Sequence, residues 1–381
     1  MADNPVHRQG RHRACWLPDG NHAYAAMLAV IDAAAHSVRL ESYIIRPQGP
    51  AELIRDALAR ALARGVQVQV LYDAFGSEGL PAGYFAGLSQ QGAGVAVFSP
   101  ARQLRLAFRN HRKLLVADES VAIVGGLNIA PEYQGDGVHR GWRDLALQIE
   151  GPIAHTLAQS FDAMYALASI TPRALRDFRS RARRVPAPAG KVALYTSGPG
   201  WPHGRLRSAL RRDLLAGRDI CCMAAYFLPG RRIRRALRGC RRRGGRVRLL
   251  LAGPTDVPAA RYAGENLYGV LLRYRAQLFE YQPQVLHAKL VVIDHIVYVG
   301  SCNLDRRSLD INYELLLRLD WPELAQEARV LFEAALLHSV PLPSDWPQHR
   351  HWWQRWRSRI AYWVLTRVDP LLARRKLRSL G

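Results

Sequence analysis

The sequence predicts two α/β lobes of one design, each a mixed β-sheet flanked by helices. Three observations carry this expectation. Strand-like runs recur in the same order in the two halves, a helical stretch separates them each time, and one chemistry-bearing motif stands at the same place in each half. A chain of 381 residues with 49% hydrophobic content has material for two cored domains and does not read as globally disordered.

In the first half, ESYII (Glu41 to Ile45) reads as a buried strand, and Leu53, Ala57, Leu58 and Leu62 recur at helical spacing. ARGVQVQVLYDAFGS (Ala63 to Ser77) then supplies the next strand. The second half repeats the order as AAYFL (Ala224 to Leu228), a helical face of Ile233, Leu237 and Cys240, and RRGGRVRLLLAGPTD (Arg242 to Asp256). Gly65 and Gly244 close the two helices, a position where glycine is favoured because the backbone turns left-handed. The pattern divides the chain into lobes at 1–170 and 201–340, an Arg/Pro-rich linker at 171–200 centred on VPAPAG, and a Trp/Arg-rich tail at 341–381.

The third repeated block carries the chemistry. Its first copy, HRKLLVADESVAIVGGLN, contains His111, Lys113, Asp118, Gly126 and Asn128. The second, HAKLVVIDHIVYVGSCN, contains His287, Lys289, Asp294, Ser301 and Asn303. Residues two apart in an extended strand share a face, so each His–Lys pair points one way, and the GG or GS return brings the asparagine back beside it. An imidazole, an ammonium and an amide on one surface suit a phosphodiester, whose oxygens need cations and donors. Exchange at phosphorus wants two imidazoles, a neutral nucleophile and a protonated acid. Two copies facing each other supply both, and no metal or other cofactor is then required. A lone HxK strand would carry a structural histidine as readily as a catalytic one; the duplication decides for catalysis. Asp118 and Asp294 complete the motif, either in the chemistry or as caps of the hairpin turns. The second copy is one residue shorter between Asp294 and Gly300 than the first between Asp118 and Gly125, which predicts a tighter turn at His295 and Ile296.

Aligning WRDLALQI with NYELLLRL sets Asp144 opposite Glu314, each opening a strand downstream of a motif. Both are candidates to accept a hydrogen bond from a histidine Nδ1–H, fixing the tautomer and stabilising the imidazolium. Which carboxylate serves which histidine is open at this level.

The net charge of +23 calls for a polyanionic partner, anionic lipid or nucleic acid. The five cysteines have no zinc-type spacing and read as reduced thiols of a cytoplasmic protein. With neither a signal-peptide pattern nor an apolar run of ~18 residues, membrane contact is expected to be peripheral. In the tail, Trp353, Trp356, Ile360, Trp363 and Val364 fall on one helical face and Arg355 and Arg359 on the other, the composition of an interfacial helix or of one docked on the enzyme's own core.

These residues resemble the phospholipase D superfamily, whose signature is HxKxxxxD followed by GGxN or GSxN. Further blocks, among them RNHRKLLVAD, GGLNIAPEY, WRDLALQIEGP and NLDRRSLDINYE, resemble the bacterial cardiolipin synthases of the short soluble type, from Gly20 to Leu319. The resemblance implies an active site between the lobes, a phosphohistidine on His111 and His287 as general acid. It implies transfer of a phosphatidyl group from phosphatidylglycerol to a hydroxyl of a second lipid, phosphatidylglycerol or phosphatidylethanolamine, at the inner face of the bacterial membrane. Lys113, Lys289, Asn128 and Asn303 would hold the phosphate, with Ser301 nearby. Hydrolysis of phospholipids, or cleavage of nucleic acid by the same centre, is the alternative. Because the motif is duplicated, one chain can complete one site as a monomer.

Overall fold

The computed structural model describes residues 4–98, 108–168, 188, 190–199 and 204–368. Two eight-stranded mixed sheets hold the chain. The first contains β1 (His7–Gln9), β2 (His12–Leu17), β3 (Ser37–Ser42), β4 (Gln67–Asp73), β5 (Gly94–Phe98), β6 (Leu114–Ala117), β7 (Val121–Gly125) and β8 (Ala146–Glu150), in the order β1-β2-β8-β7-β6-β3-β4-β5. The second contains β9 (Val192–Ser197), β10 (Asp219–Ala224), β11 (Arg246–Ala252), β12 (Gln277–Tyr281), β13 (Lys289–Ile293), β14 (Ile296–Gly300), β15 (Glu314–Asp320) and β16 (Ser339–Pro341), ordered β16-β12-β11-β10-β13-β14-β15-β9. In each, three parallel strands (β3, β4, β5 and β10, β11, β12) adjoin an antiparallel motif hairpin (β6–β7 and β13–β14) and the strand after it. The repeat seen in the sequence is a repeat of topology.

Alternation along the strands builds a layered core. On β10, Cys221 and Met223 point into a core shared by both sheets, whereas Ile220, Cys222 and Ala224 point to the helices outside. The shared core contains Trp16, Phe98, Phe108 and Phe161 of the first lobe with Tyr313, Trp321 and Phe332 of the second. Trp16 Nε1 donates to Leu324 O at 3.1 Å, so even its one polar atom crosses the interface. A seam this apolar holds the lobes as a unit.

Local sequence explains most of the elements. Helix Pro50–Ala63 buries Ala57 and Leu58 as expected, together with Ile54 and Ala61, whereas Leu53 turns to solvent and Leu62 is half-buried. Gly65 and Gly244 do adopt left-handed φ, 85° and 79°. The runs at Glu41–Ile45 and Ala224–Leu228 are strand only as far as Ser42 and Ala224. Beyond those points the chain leaves the ladder to line a pocket, tied back by isolated bridges Ile45–Ile129 and Phe227–Leu304. The shorter second motif is accommodated in its turn: three residues separate β6 from β7, and two separate β13 from β14.

Most of the stretch read as a linker, 171–187, 189 and 200, lies outside the described residues, but β9 within it is an edge strand paired with β15. The second lobe therefore begins before residue 201. In the tail, Trp352–Trp363 is helical, and 369–381 lie outside the described residues.

Candidate active site

The segments leading into β6 and β13 pair across the lobes. Asn110 bridges Tyr313 and Arg143 bridges Leu286, both in parallel. His111 N donates to Tyr313 O at 2.9 Å, and His287 N to Arg143 O at 2.8 Å. This exchange sets each histidine beside the carboxylate of the opposite lobe. His287 Nδ1 lies 2.6 Å from Asp144 Oδ2, and His111 Nδ1 lies 3.0 Å from Glu314 Oε1. Both carboxylates are fully buried. With each Nδ1 occupied, each Nε2 is the nitrogen left for chemistry.

The two carboxylate sites are built differently. Ser301 Oγ donates to Glu314 Oε2 at 2.5 Å. The matching residue of the first motif is Gly126, where a Cβ would fall 2.4 Å from Asp144 Oδ1. Glycine there makes room for the shorter carboxylate to reach its histidine; serine in the second motif braces the longer one.

His111, His287, Asn128 and Asn303 line one pocket of about 500 Å³ between the lobes. Asn128 Oδ1 accepts from Ile44 N at 3.1 Å and its Nδ2 donates to Tyr133 Oη at 2.6 Å. Asn303 Oδ1 is buried without a hydrogen-bond partner among the described residues, an acceptor that lacks a donor. Lys113 Nζ donates to His111 O at 2.6 Å, and Lys289 Nζ to His287 O while lying 2.6 and 3.0 Å from the two ring nitrogens of His287.

Burial dominates the electrostatics. It pushes Lys113 down to about 7 and Lys289 down to about 8, and Glu314 up to about 8. His287 falls to about 4 through burial and the neighbouring Lys289, against the pull of Asp144. His111 drops well below its ordinary value through burial, then Lys113 and Lys289. Burial thus favours the neutral forms of both His111 and Glu314, and attack through Nε2 uses the His111 tautomer whose Nδ1 keeps the ring proton and donates it to a Glu314 oxygen.

Asp118 and Asp294 do not belong to this site. Asp118, at the far end of β6, accepts from the backbone N–H of Ala35, His36 and Ser37 at 2.9, 2.7 and 2.8 Å. Asp294 accepts in the same way from Arg218 and Asp219. Both have left-handed φ near 50°, which aspartate tolerates in a turn. Their carboxylates tie the motif hairpin to the start of the neighbouring parallel strand, so they are structural and not catalytic.

Other residues completing the site were not singled out in the sequence. Tyr133 Oη lies 3.4 Å from His287 Nε2, and the rings of Tyr133 and Trp142 flank that imidazole. Tyr43 packs against His111 with ring centroids 4.7 Å apart. Buried Glu41 pairs with Arg112 at 3.2 Å and accepts from Asn110 Nδ2 at 2.8 Å, anchoring the strand that presents His111. Glu41, Tyr43, Asn110, Tyr133 and Trp142 all lie inside the quoted blocks; nothing local marked them, because their partners come from distant strands.

A duplicated mixed-sheet fold with two His–Lys motifs meeting at one pocket defines a protein of the phospholipase D class. The family described as "cardiolipin synthase, PLD-like domain" matches residues 27–165 and 210–336. A cardiolipin synthase of Geobacillus thermodenitrificans is 31% identical, across 93% of this chain and 72% of the relative. Cardiolipin synthase B of Salmonella typhimurium is 28% identical, across 93% and 88%. The crystal structure of a phosphatidylserine synthase from Haemophilus influenzae superposes with a TM-score of 0.70 over 97% of both chains at 13% identity, a likeness of fold. The chain belongs to this family, the cardiolipin synthase-like phosphatidyltransferases of the phospholipase D superfamily.

Proposed function

We propose that the protein transfers the phosphatidyl group of phosphatidylglycerol to a hydroxyl of a second phospholipid, forming cardiolipin when the acceptor is also phosphatidylglycerol. The observation that carries this is the pair of imidazoles lining one pocket, each held at Nδ1 by a buried carboxylate of the other lobe.

His111 Nε2 attacks phosphorus, and the P–O bond to the headgroup glycerol breaks as His287 gives that oxygen a proton. Burial and Lys289 hold His287 low; a bound phosphodiester anion raises it and readies it as the acid. In the second step His287 takes the proton from the acceptor hydroxyl, whose oxygen displaces His111 from phosphorus. Lys113, Lys289, Asn128 and Asn303 hold the non-bridging oxygens. One phosphodiester replaces another, so the exchange is close to isoenergetic and needs no nucleotide.

The enzyme works on the inner face of a bacterial membrane as a peripheral protein, one chain completing one site. Among the described residues no helix is long and apolar enough to cross a membrane. The tail helix supports attachment. It docks on helix Pro258–Arg273 through Ser358, and Arg350 just before it joins the same carboxylate, both bonding Glu265, while Trp352, Trp356 and Trp363 stand 78, 61 and 60% exposed. Leu365 and Thr366, just beyond it, line the catalytic pocket.

The test uses purified protein with EDTA and vesicles of phosphatidylglycerol, with or without phosphatidylethanolamine. Products are identified by mass spectrometry against His111→Ala. Cardiolipin from the wild type alone is the expected result. Phosphatidic acid alone would make the protein a hydrolase, and cleavage of single-stranded nucleic acid without lipid turnover would make it a nuclease.

A further inference from the structure

Outside the catalytic pocket, the second lobe has a groove of about 900 Å³ lined, among the described residues, by eight arginines and no acidic side chain. Six come from helix Arg231–Arg242; Arg273 and Arg275 come from the end of helix Pro258–Arg273 and the residues just after it. We propose that this groove is a second phospholipid site, which seats the phosphates of anionic headgroups at the membrane surface and so fixes how the enzyme lies on the bilayer. The proposal rests on the reading that the enzyme works on membrane lipid.

The matching helix of the first lobe shows what an ordinary solvated face looks like in this protein. Pro50–Ala63 carries both signs of charge, with Arg60 paired to Asp32 at 2.9 Å and Arg55 to Asp56 at 3.3 Å. The second-lobe helix keeps the same buried stripe, Ile233, Ala236, Leu237 and Cys240, but has no acidic residue. Like charges crowded on one face repel unless a polyanion meets them. The Nε atoms of Arg234 and Arg241 are shut off from solvent without a hydrogen-bond partner among the described residues. Arg238 is stacked on the Tyr274 ring at 5.2 Å, which presets its plane. Planar guanidinium forks match phosphate oxygens two at a time.

Helix Pro258–Arg273 ties the groove to the rest of the working surface. Its far end forms the groove wall with Val270 and Arg273, its start gives Val257 and Ala260 to the catalytic pocket, and its flank carries the tryptophan helix. A 16-residue helix is about 24 Å long. Headgroups in the groove and tryptophans in the interface would therefore hold the catalytic mouth against the same membrane. A nucleic acid would also find the charge and could stack bases on exposed tryptophans, so an oligonucleotide is one arm of the test.

The experiment measures sedimentation of wild type and of the exposed-arginine variant Arg235→Ala/Arg238→Ala/Arg242→Ala with vesicles of phosphatidylglycerol or phosphatidylcholine. Competitor arms add inorganic phosphate or a single-stranded oligonucleotide. Each basic residue near an anionic surface is worth roughly fivefold in affinity, so the variant should lose about 100-fold on phosphatidylglycerol. Binding to phosphatidylcholine, and turnover of monomeric short-chain phosphatidylglycerol, should not change. A matched triple lysine variant, which keeps the charge, should lose less than tenfold and guards against misfolding of the alanine protein. Phosphatidylglycerol binding unaltered by the alanine changes overturns the proposal. So does an arginine-dependent affinity found only for inorganic phosphate or for the oligonucleotide. Arginine-dependent vesicle binding by a protein that makes no lipid product would refute the proposed function and leave the groove standing.

Discussion

Asp144, in the first lobe, lies 2.6 Å from Nδ1 of His287 in the second, so that each lobe orients the other's histidine. The reciprocal contact is Glu314 to His111. An amide in place of Asp144 fits the same space but can turn its NH₂ to the ring, which favours the wrong tautomer and no longer stabilises the imidazolium. Asp144→Asn should therefore lower kcat by roughly 10³- to 10⁴-fold with little change in KM and a native-like melt. Steady-state kinetics beside circular dichroism would check this; a kcat within tenfold of wild type would remove Asp144 from its positioning role.

The two motifs should not be interchangeable at the residue after the hairpin. Gly126→Ser, which copies the second motif, drives a Cβ onto the Asp144 carboxylate, 2.4 and 2.5 Å from its oxygens. Turnover should fall at least about 100-fold as the carboxylate is displaced, since small misplacements of catalytic groups cost that much. Ser301→Ala in the other motif removes a donor to buried Glu314 and should cost about 1–3 kcal/mol of stability. Thermal denaturation and kcat for the two variants separate these outcomes.

Much of this molecule could be read along the chain because its information is duplicated. The topology, both histidines, both lysines, both asparagines and the two carboxylates follow from aligning one half with the other. The pairing of those carboxylates did not follow, because it depends on the cross-lobe bridges at Asn110–Tyr313 and Arg143–Leu286, which are contacts between distant segments. Tyr133 and the Glu41–Arg112 pair were hidden for the same reason. Of the two roles open to the motif aspartates, the geometry favours the structural one at the hairpin turns. Their sequence proximity to His and Lys hides a full strand, β6 or β13, that carries them to the other end of the sheet.

Asp118 supplies a direct test of that role. Its carboxylate satisfies three backbone N–H groups at the entry to β3 and sits at a left-handed φ of 51°. Asp118→Ala should cost about 2–3 kcal/mol of stability, from orphaned donors and an unfavourable backbone conformation. The kcat of the folded fraction should stay within about twofold, a change too small to reflect loss of a group acting in the transition state. Denaturant titration and kinetics below the melting range would measure the two effects separately; a large fall in kcat at unchanged stability would return Asp118 to the chemistry.

The lowering of Lys113 and Lys289 by burial predicts proton uptake when an anion binds. Lys113 at about 7 and Lys289 at about 8 are both partly neutral at pH 8, and Glu314 is held up at about 8. A phosphodiester brings one fixed negative charge and no titrating group of its own. Its arrival favours the protonated form of all three, so protons move from solvent to protein and the pKa values rise in the complex. The sign follows by linkage: a ligand whose binding takes up protons binds more weakly as pH rises. Affinity should therefore be greatest near pH 6, where the lysines are already charged, and decline through pH 7 to 9. Calorimetry with a short-chain phosphonate monoester, run at pH 8 in two buffers of different ionisation enthalpy, reads the uptake directly. Uptake of up to about two protons per site is expected at that pH, shrinking towards pH 6. Zero uptake at pH 8 with full affinity would mean that the lysines are already charged before the anion binds, and that burial does not govern this site.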